Sequence, residues 1–116
     1  MTEISQIYDA LHSLGITRNC KGCRQAARAV QLALEDEERL EHIMKEIYWV
    51  IADEIGCERA DVERNIRTIA SRAWQANRER LIRMARYPVP FVPSASEFLA
   101  IVVAHIKRTA DAAAHR

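Results

Sequence analysis

The stretch CERADVERNIRTIASRAW, residues 57–74, decides the fold. Stepped at about 100° per residue, Val62, Ile66, Ile69, Ala70 and Ala73 fall on one narrow stripe. Arg64, Arg67, Thr68 and Ser71 fall on the opposite side. This is an amphipathic helix with an apolar core face and a polar outer face. Glu63 stands four residues before Arg67, the spacing at which a carboxylate holds a guanidinium along a helix surface. Gly56, just upstream, suits the left-handed turn that ends a helix. A helix, a turn near Gly56 and a second helix with outward arginines is the layout of a helix-turn-helix, whose second helix enters the major groove. Arginine reads guanine by a bidentate contact and glutamate accepts from cytosine N4. Glu63, Arg64 and Arg67 are therefore the candidate base contacts, and Arg59, Thr68 and Ser71 the candidate phosphate contacts. The same pattern also fits an ordinary solvated face, so taken alone it leaves both readings open.

Upstream, residues 36–55 place Leu40, Ile43, Met44, Ile47, Ile51 and Ile55 at helical spacing, behind an acidic first turn (EDEERLE) that suits a helix N-terminus. Residues 22–35 predict a helix with a small-residue face, Ala26, Ala27, Val30 and Leu34. Residues 2–14 predict another, with Ile4, Ile7, Tyr8, Leu11 and Leu14 inward, Thr2 capping its start and Gly15 as its stop. Downstream, residues 77–86 predict a short fifth helix. The three prolines of YPVPFVP then impose an extended connection. Ser94 and Glu97, spaced as a capping box, open a last helix that runs to about residue 112. Its apolar positions, Phe98, Leu99, Ile101, Val102, Val103 and Ile106, are dense enough for burial. No stretch alternates as a strand. The expected architecture is all-α: a compact six-helix domain containing a helix-turn-helix, one domain over residues 1–116, with the motif at about 41–75 and the recognition helix at about 59–75.

Composition agrees. The chain has 116 residues, 49% hydrophobic, with only three glycines, enough for one domain with a real core. The net charge of +1 selects no partner, but its distribution is uneven. Residues 1–58 carry 6 Lys/Arg against 11 Asp/Glu, and residues 59–116 carry 11 against 5. Such a split hints at a polyanion-facing side. The first residues, MTEISQIYDALHSLGI, show no signal peptide, and no apolar run approaches the roughly 18 residues of a membrane span. Three cysteines, an odd number, fit a reducing compartment; a cytoplasmic location is expected, with no membrane partner.

Cys20-x-x-Cys23 has the spacing of half a zinc site, but Cys57, His12, His42, His105 and His115 form no second half. A redox CxxC is expected near a βαβ unit, which the pattern lacks. No metal and no cofactor are expected, and the thiols read as structural or incidental. His12 and His42 read as surface or packed histidines, Trp49 and Trp74 as core. No phosphate loop, nucleophile elbow or Ser/His/Asp spacing appears, so no enzyme is expected.

VERNIRTIASRAW also resembles the recognition helix in the C-terminal effector domain of the sporulation initiation transcription factor family, the stage zero sporulation protein A family. LGITRNCKGCRQAARAV, with its Lys21-Gly22 pair, is similar to that domain's first loop and second helix. IYWVIADEIG is similar to its first helix-turn-helix helix and PSASEFLAIVVAHI to the start of its last helix. The resemblance covers nearly the whole chain. It implies a six-helix domain with one helix-turn-helix that binds short promoter boxes, base contacts at Glu63, Arg64 and Arg67, and a sigma-subunit contact of RNA polymerase at roughly Trp74–Arg83.

Several positions depart from the family. Asp61 replaces a usually basic residue, which weakens phosphate affinity. Cys57 and Glu58 replace threonines able to cap the recognition helix, which implies a looser start. Trp49 replaces a proline, which implies a straighter third helix. ANRERLIRMAR is more basic than its counterpart and points to added DNA contact rather than sigma contact. The family's receiver domain is not found in this sequence, so control by its phosphorylation is not expected.

The expected function is a sequence-specific DNA-binding transcription regulator acting on double-stranded DNA, with a second copy on tandem or inverted half-sites because one small domain offers little interface. The alternative is a protein-interaction module that kept the fold and lost DNA.

Overall fold

The computed structural model describes residues 3–114. The expected cap Thr2 and His115 lie outside them. Among the described residues the architecture is all-α, with no strand. Helix α1 spans Glu3–Ser13 and α2 spans Cys23–Glu35. A 3₁₀ turn at Glu37–His42 and a π-helical turn at Met44–Tyr48 lead into α3, Trp49–Ile55. Helix α4 runs from Arg59 to Ala85 and α5 from Ala95 to Ala114.

Helix α2 lies at the centre, in contact with α1, α4, α5, α3 and both irregular turns. Its inner face is built from Ala26, Ala27, Ala29, Val30 and Ala33, all essentially sealed from solvent. Small side chains there let neighbouring helices approach closely. Helix α5 packs its dense apolar run, Phe98, Leu99, Ile101, Val102, Val103 and Ile106, against this centre. The capping interaction at its start is present, with Glu97 N–H donating to Ser94 Oγ at 3.1 Å. The Glu97 carboxylate, however, accepts from Tyr87 Oη across the proline loop and does not turn back onto Ser94.

The expected third helix, 36–55, is corrected. Three segments replace it: 3₁₀, π and α. Only Asp36 separates α2 from the first of them. Arg39 reaches back to the Leu32 carbonyl at 2.8 Å and to Glu35 at 3.0 Å, which ties that turn to the end of α2 and keeps it tight. The π turn then brings the adjacent pair Ile47 and Tyr48 into the core, followed by Ile51 and Ala52. A π turn shifts the helix face relative to a regular 3.6-residue pattern. Met44 and Ile55, expected inward, are accordingly exposed, as is Ile4 at the far end of α1. Trp49 does not straighten the helix.

The expected fourth and fifth helices are two arms of α4, joined at a kink. Asn77 has non-helical φ/ψ (−154°, 65°). Its Oδ1 accepts from Arg80 N–H at 3.3 Å, so Asn77 caps the second arm, and its Nδ2 donates to the Ser13 carbonyl at 3.1 Å. The kink is thereby stapled to the end of α1. The first arm buries Val62, Ile66, Ile69, Ala70 and Ala73, the stripe expected from the sequence. The second arm buries Leu81, Met84 and Ala85, and Arg108 donates to the Met84 carbonyl near its end. The Cα radius of gyration, 13.3 Å, is that of one compact body of this length.

Candidate nucleic-acid interface

Helix α3, the turn at Gly56 and the first arm of α4 form a helix-turn-helix. Gly56 ends α3 in the left-handed region (φ 72°), and both its N–H and that of Cys57 bond to the Ala52 carbonyl. Helix α4 starts after Glu58 without a side-chain cap, as the loss of a capping threonine implied. Bidentate Arg28 fixes α3 to α2, with its Nε and Nη2 on the two Glu54 oxygens at 3.0 and 2.8 Å. That contact holds the Glu54 carboxyl below its ordinary pKa and raises Arg28.

The first arm of α4 presents its polar side outward. Arg64 and Arg67 have side chains 59% and 57% exposed. Each is engaged by an acid on its own helix. Asp61 pairs with Arg64, and Glu63 pairs with Arg67 at 3.6 Å, the i,i+4 contact expected from spacing. Glu63 also adds to burial in holding the phenol of Tyr48 un-ionised, with its pKa pushed up to about 12; desolvation is the larger cause. Thr68 is exposed on the same side, but its Oγ1 already donates to the Arg64 carbonyl at 3.0 Å. Ser71 is half-buried one turn further on. The six predicted residues thus share one arm of one helix, the acids interleaved with the arginines.

Arg59 is exposed but not free. Its guanidinium lies 4.7 Å from the ring centroid of Trp49, and Trp49 is 50% exposed. The expectation that Trp49 belongs to the core is therefore corrected: the π turn carries it outward, where it meets the first residue of α4. Trp74 is half-buried against the core with Arg78 over its ring at 4.3 Å. His12 and His42 are exposed, as surface histidines.

Sequence reasoning missed the loop that abuts the recognition arm. At Gly22 (φ 90°) a Cβ would come within 3.0 Å of the Asn65 carbonyl oxygen, so only glycine lets the loop seat on α4. Asn65 also donates to Gln25 at 3.2 Å. Lys21 and Arg24, which flank Gly22 in the sequence, are exposed. The Lys21-Gly22 dipeptide was the available signal, but nothing local says which helix it meets.

Fold and site together define a class: a small all-helical domain built on a helix-turn-helix whose second helix turns arginines outward. The chain belongs to the family described as sporulation initiation factor Spo0A C terminal, whose model matches residues 7–106, nearly the whole chain. The members of that family are DNA-binding effector domains of a transcription factor, not enzymes. No helix of the described residues is long and apolar enough to cross a membrane.

Proposed function

We propose that the chain is a sequence-specific regulator of transcription, a single domain over residues 1–116 that lays residues of about 59–75 in the major groove of double-stranded DNA. One observation carries this reading. Arg64 and Arg67 stand more than half exposed on one side of a helix whose other side is sealed into the core. A rigid helix that presents two guanidiniums outward is what direct base readout uses. Glu63 either orients Arg67 or accepts from cytosine. Exposed ion pairs are worth only about 0–1 kcal/mol, so Asp61 and Glu63 can yield their arginines to a base edge at small cost. Arg59 and Ser71 are assigned to phosphates, as are Lys21 and Arg24. Thr68 joins them only by exchanging its bond to the Arg64 carbonyl.

A second copy on tandem or inverted half-sites completes the interface, since one module of this size buries little DNA surface. A sigma subunit of RNA polymerase is the further partner this reading admits, at about Trp74–Arg83, where Arg83 is exposed.

The opposing reading, a protein-interaction module on the same fold, draws on Asp61 engaging Arg64 and on Trp49 covering Arg59. Selection of bound duplexes from a random pool separates the two. The DNA reading predicts an enriched motif, and Arg64→Ala or Arg67→Ala weakening the selected site by about 1–3 kcal/mol. No enriched motif, with no duplex binding at low salt, supports the module instead.

A further inference from the structure

Cys20 and Cys23 occupy the two ends of one tight turn. Cys23 N–H donates to the Cys20 carbonyl at 3.1 Å, the i to i+3 bond that brings the two α-carbons within about 7 Å. That separation overlaps the span a disulfide bridges. The two side chains approach the same core: Cys23 is fully buried in it, and half-buried Cys20 packs on its edge. Among the described residues no third and fourth metal ligand joins them.

Their surroundings differ in the way a working dithiol requires. Cys20 Sγ lies 3.7 Å from Thr17 Oγ1, and Cys20 lines an open recess of about 250 Å³ together with Gly15, Arg72, Gln75 and Ala76. Hydrogen bonds from the Thr17 backbone and side chain, then the Arg72 charge, favour its thiolate. Cys23 is held as a thiol by burial, then by the neighbouring Cys20. These surroundings suit Cys20 to attack and Cys23 to resolve.

We propose that Cys20 and Cys23 form a peroxide-reactive dithiol that closes to an intramolecular disulfide. The Cys20 thiolate attacks one oxygen of hydrogen peroxide. The O–O bond breaks, and the departing hydroxide takes a proton to become water, leaving a sulfenic acid on Cys20. Cys23 loses its proton and attacks the Cys20 sulfur; the S–O bond breaks and the hydroxide leaves as a second water. Two thiols lose two electrons and one peroxide becomes two waters.

The full chain treated with hydrogen peroxide tests this. Cys57 is exposed and can oxidise on its own, so Cys57→Ser is the parent. The expected result is a monomer two mass units lighter, with free thiols falling from two to none and recovering with dithiothreitol. In the Cys57→Ser, Cys23→Ser chain, dimedone is expected to trap a sulfenic acid on Cys20. Should burial of Cys23 make that variant unfold, peptide mapping of the oxidised parent carries the test, through a Cys20–Cys23 linked peptide. Two thiols still titratable in the folded parent after peroxide treatment, or oxidation confined to linkage between chains, overturns the proposal.

Discussion

Asp61 stands three residues before Arg64 and pairs with it directly. A carboxylate at this point does two things to a groove-reading helix. It neutralises one of the two outward guanidiniums, and it brings a negative charge toward a phosphate backbone whose neutralisation supplies much of any duplex affinity. Asp61→Asn is therefore expected to raise duplex affinity at low salt several-fold and to steepen the fall of log K with log salt; unchanged binding in a fluorescence-anisotropy titration would sink this account of Asp61. Gly22 is the other decisive single position. At φ 90° with the Asn65 carbonyl 3.0 Å from a would-be Cβ, Gly22→Ala strains the backbone and pushes the loop off α4. A loss of about 1–3 kcal/mol in a urea melt is expected. The charge cost of Asp61 is legible from its departure from the family's basic residue; its pairing with Arg64 is not. Gly22 reads as a generic turn until its seat on α4 is in view.

Among the elements, α4 carries the clearest internal joint. Asn77 breaks the helix, caps its second arm through Arg80 N–H and ties both to Ser13 of α1. Asn77→Ala removes the cap and the staple together, so a loss of about 1–2 kcal/mol is expected, read as a lowered melting temperature. The break itself was legible as the start of a separate short helix at 77–86. Its form was not: the staple from Asn77 reaches the Ser13 carbonyl, 64 residues away. The third segment was read as one helix for the opposite reason. Its apolar spacing is regular, but Arg39 tightens the first turn onto α2 and a π turn rotates the rest. Periodicity sees neither. The outward placement of Trp49, and with it the covered Arg59, follows from that rotation.

For the molecule as a whole, the positions of the helices follow from where apolar residues recur. Ile4 apart, the stripes of α1, α2, α5 and the first arm of α4 turn inward as the sequence requires, and the outward placement of Arg64 and Arg67 is the same statement read from the other side. Stability should be bounded at both ends of the pH scale. Burial and the Arg80 and Arg108 charges lower the pKa of His105. The stability it contributes is present above the ordinary histidine value, near 6.5, and is lost as pH falls through the lower folded value. Tyr48 is raised, so its contribution, up to about 2–3 kcal/mol, is present below pH 10 and lost as pH rises toward about 12. Chemical melts across pH should show both slopes, with His105→Gln flattening the acid side and Tyr48→Phe the alkaline side. The central claim is that the outer side of α4 reads duplex DNA, and one measurement bears on it most directly: binding of a pool-selected duplex against salt, in the parent and in Arg64→Ala, Arg67→Ala. The account predicts an affinity that falls steeply as salt rises, with a shallower slope and weaker binding in the double variant. Duplex binding absent at low salt, or identical in parent and variant, would contradict it.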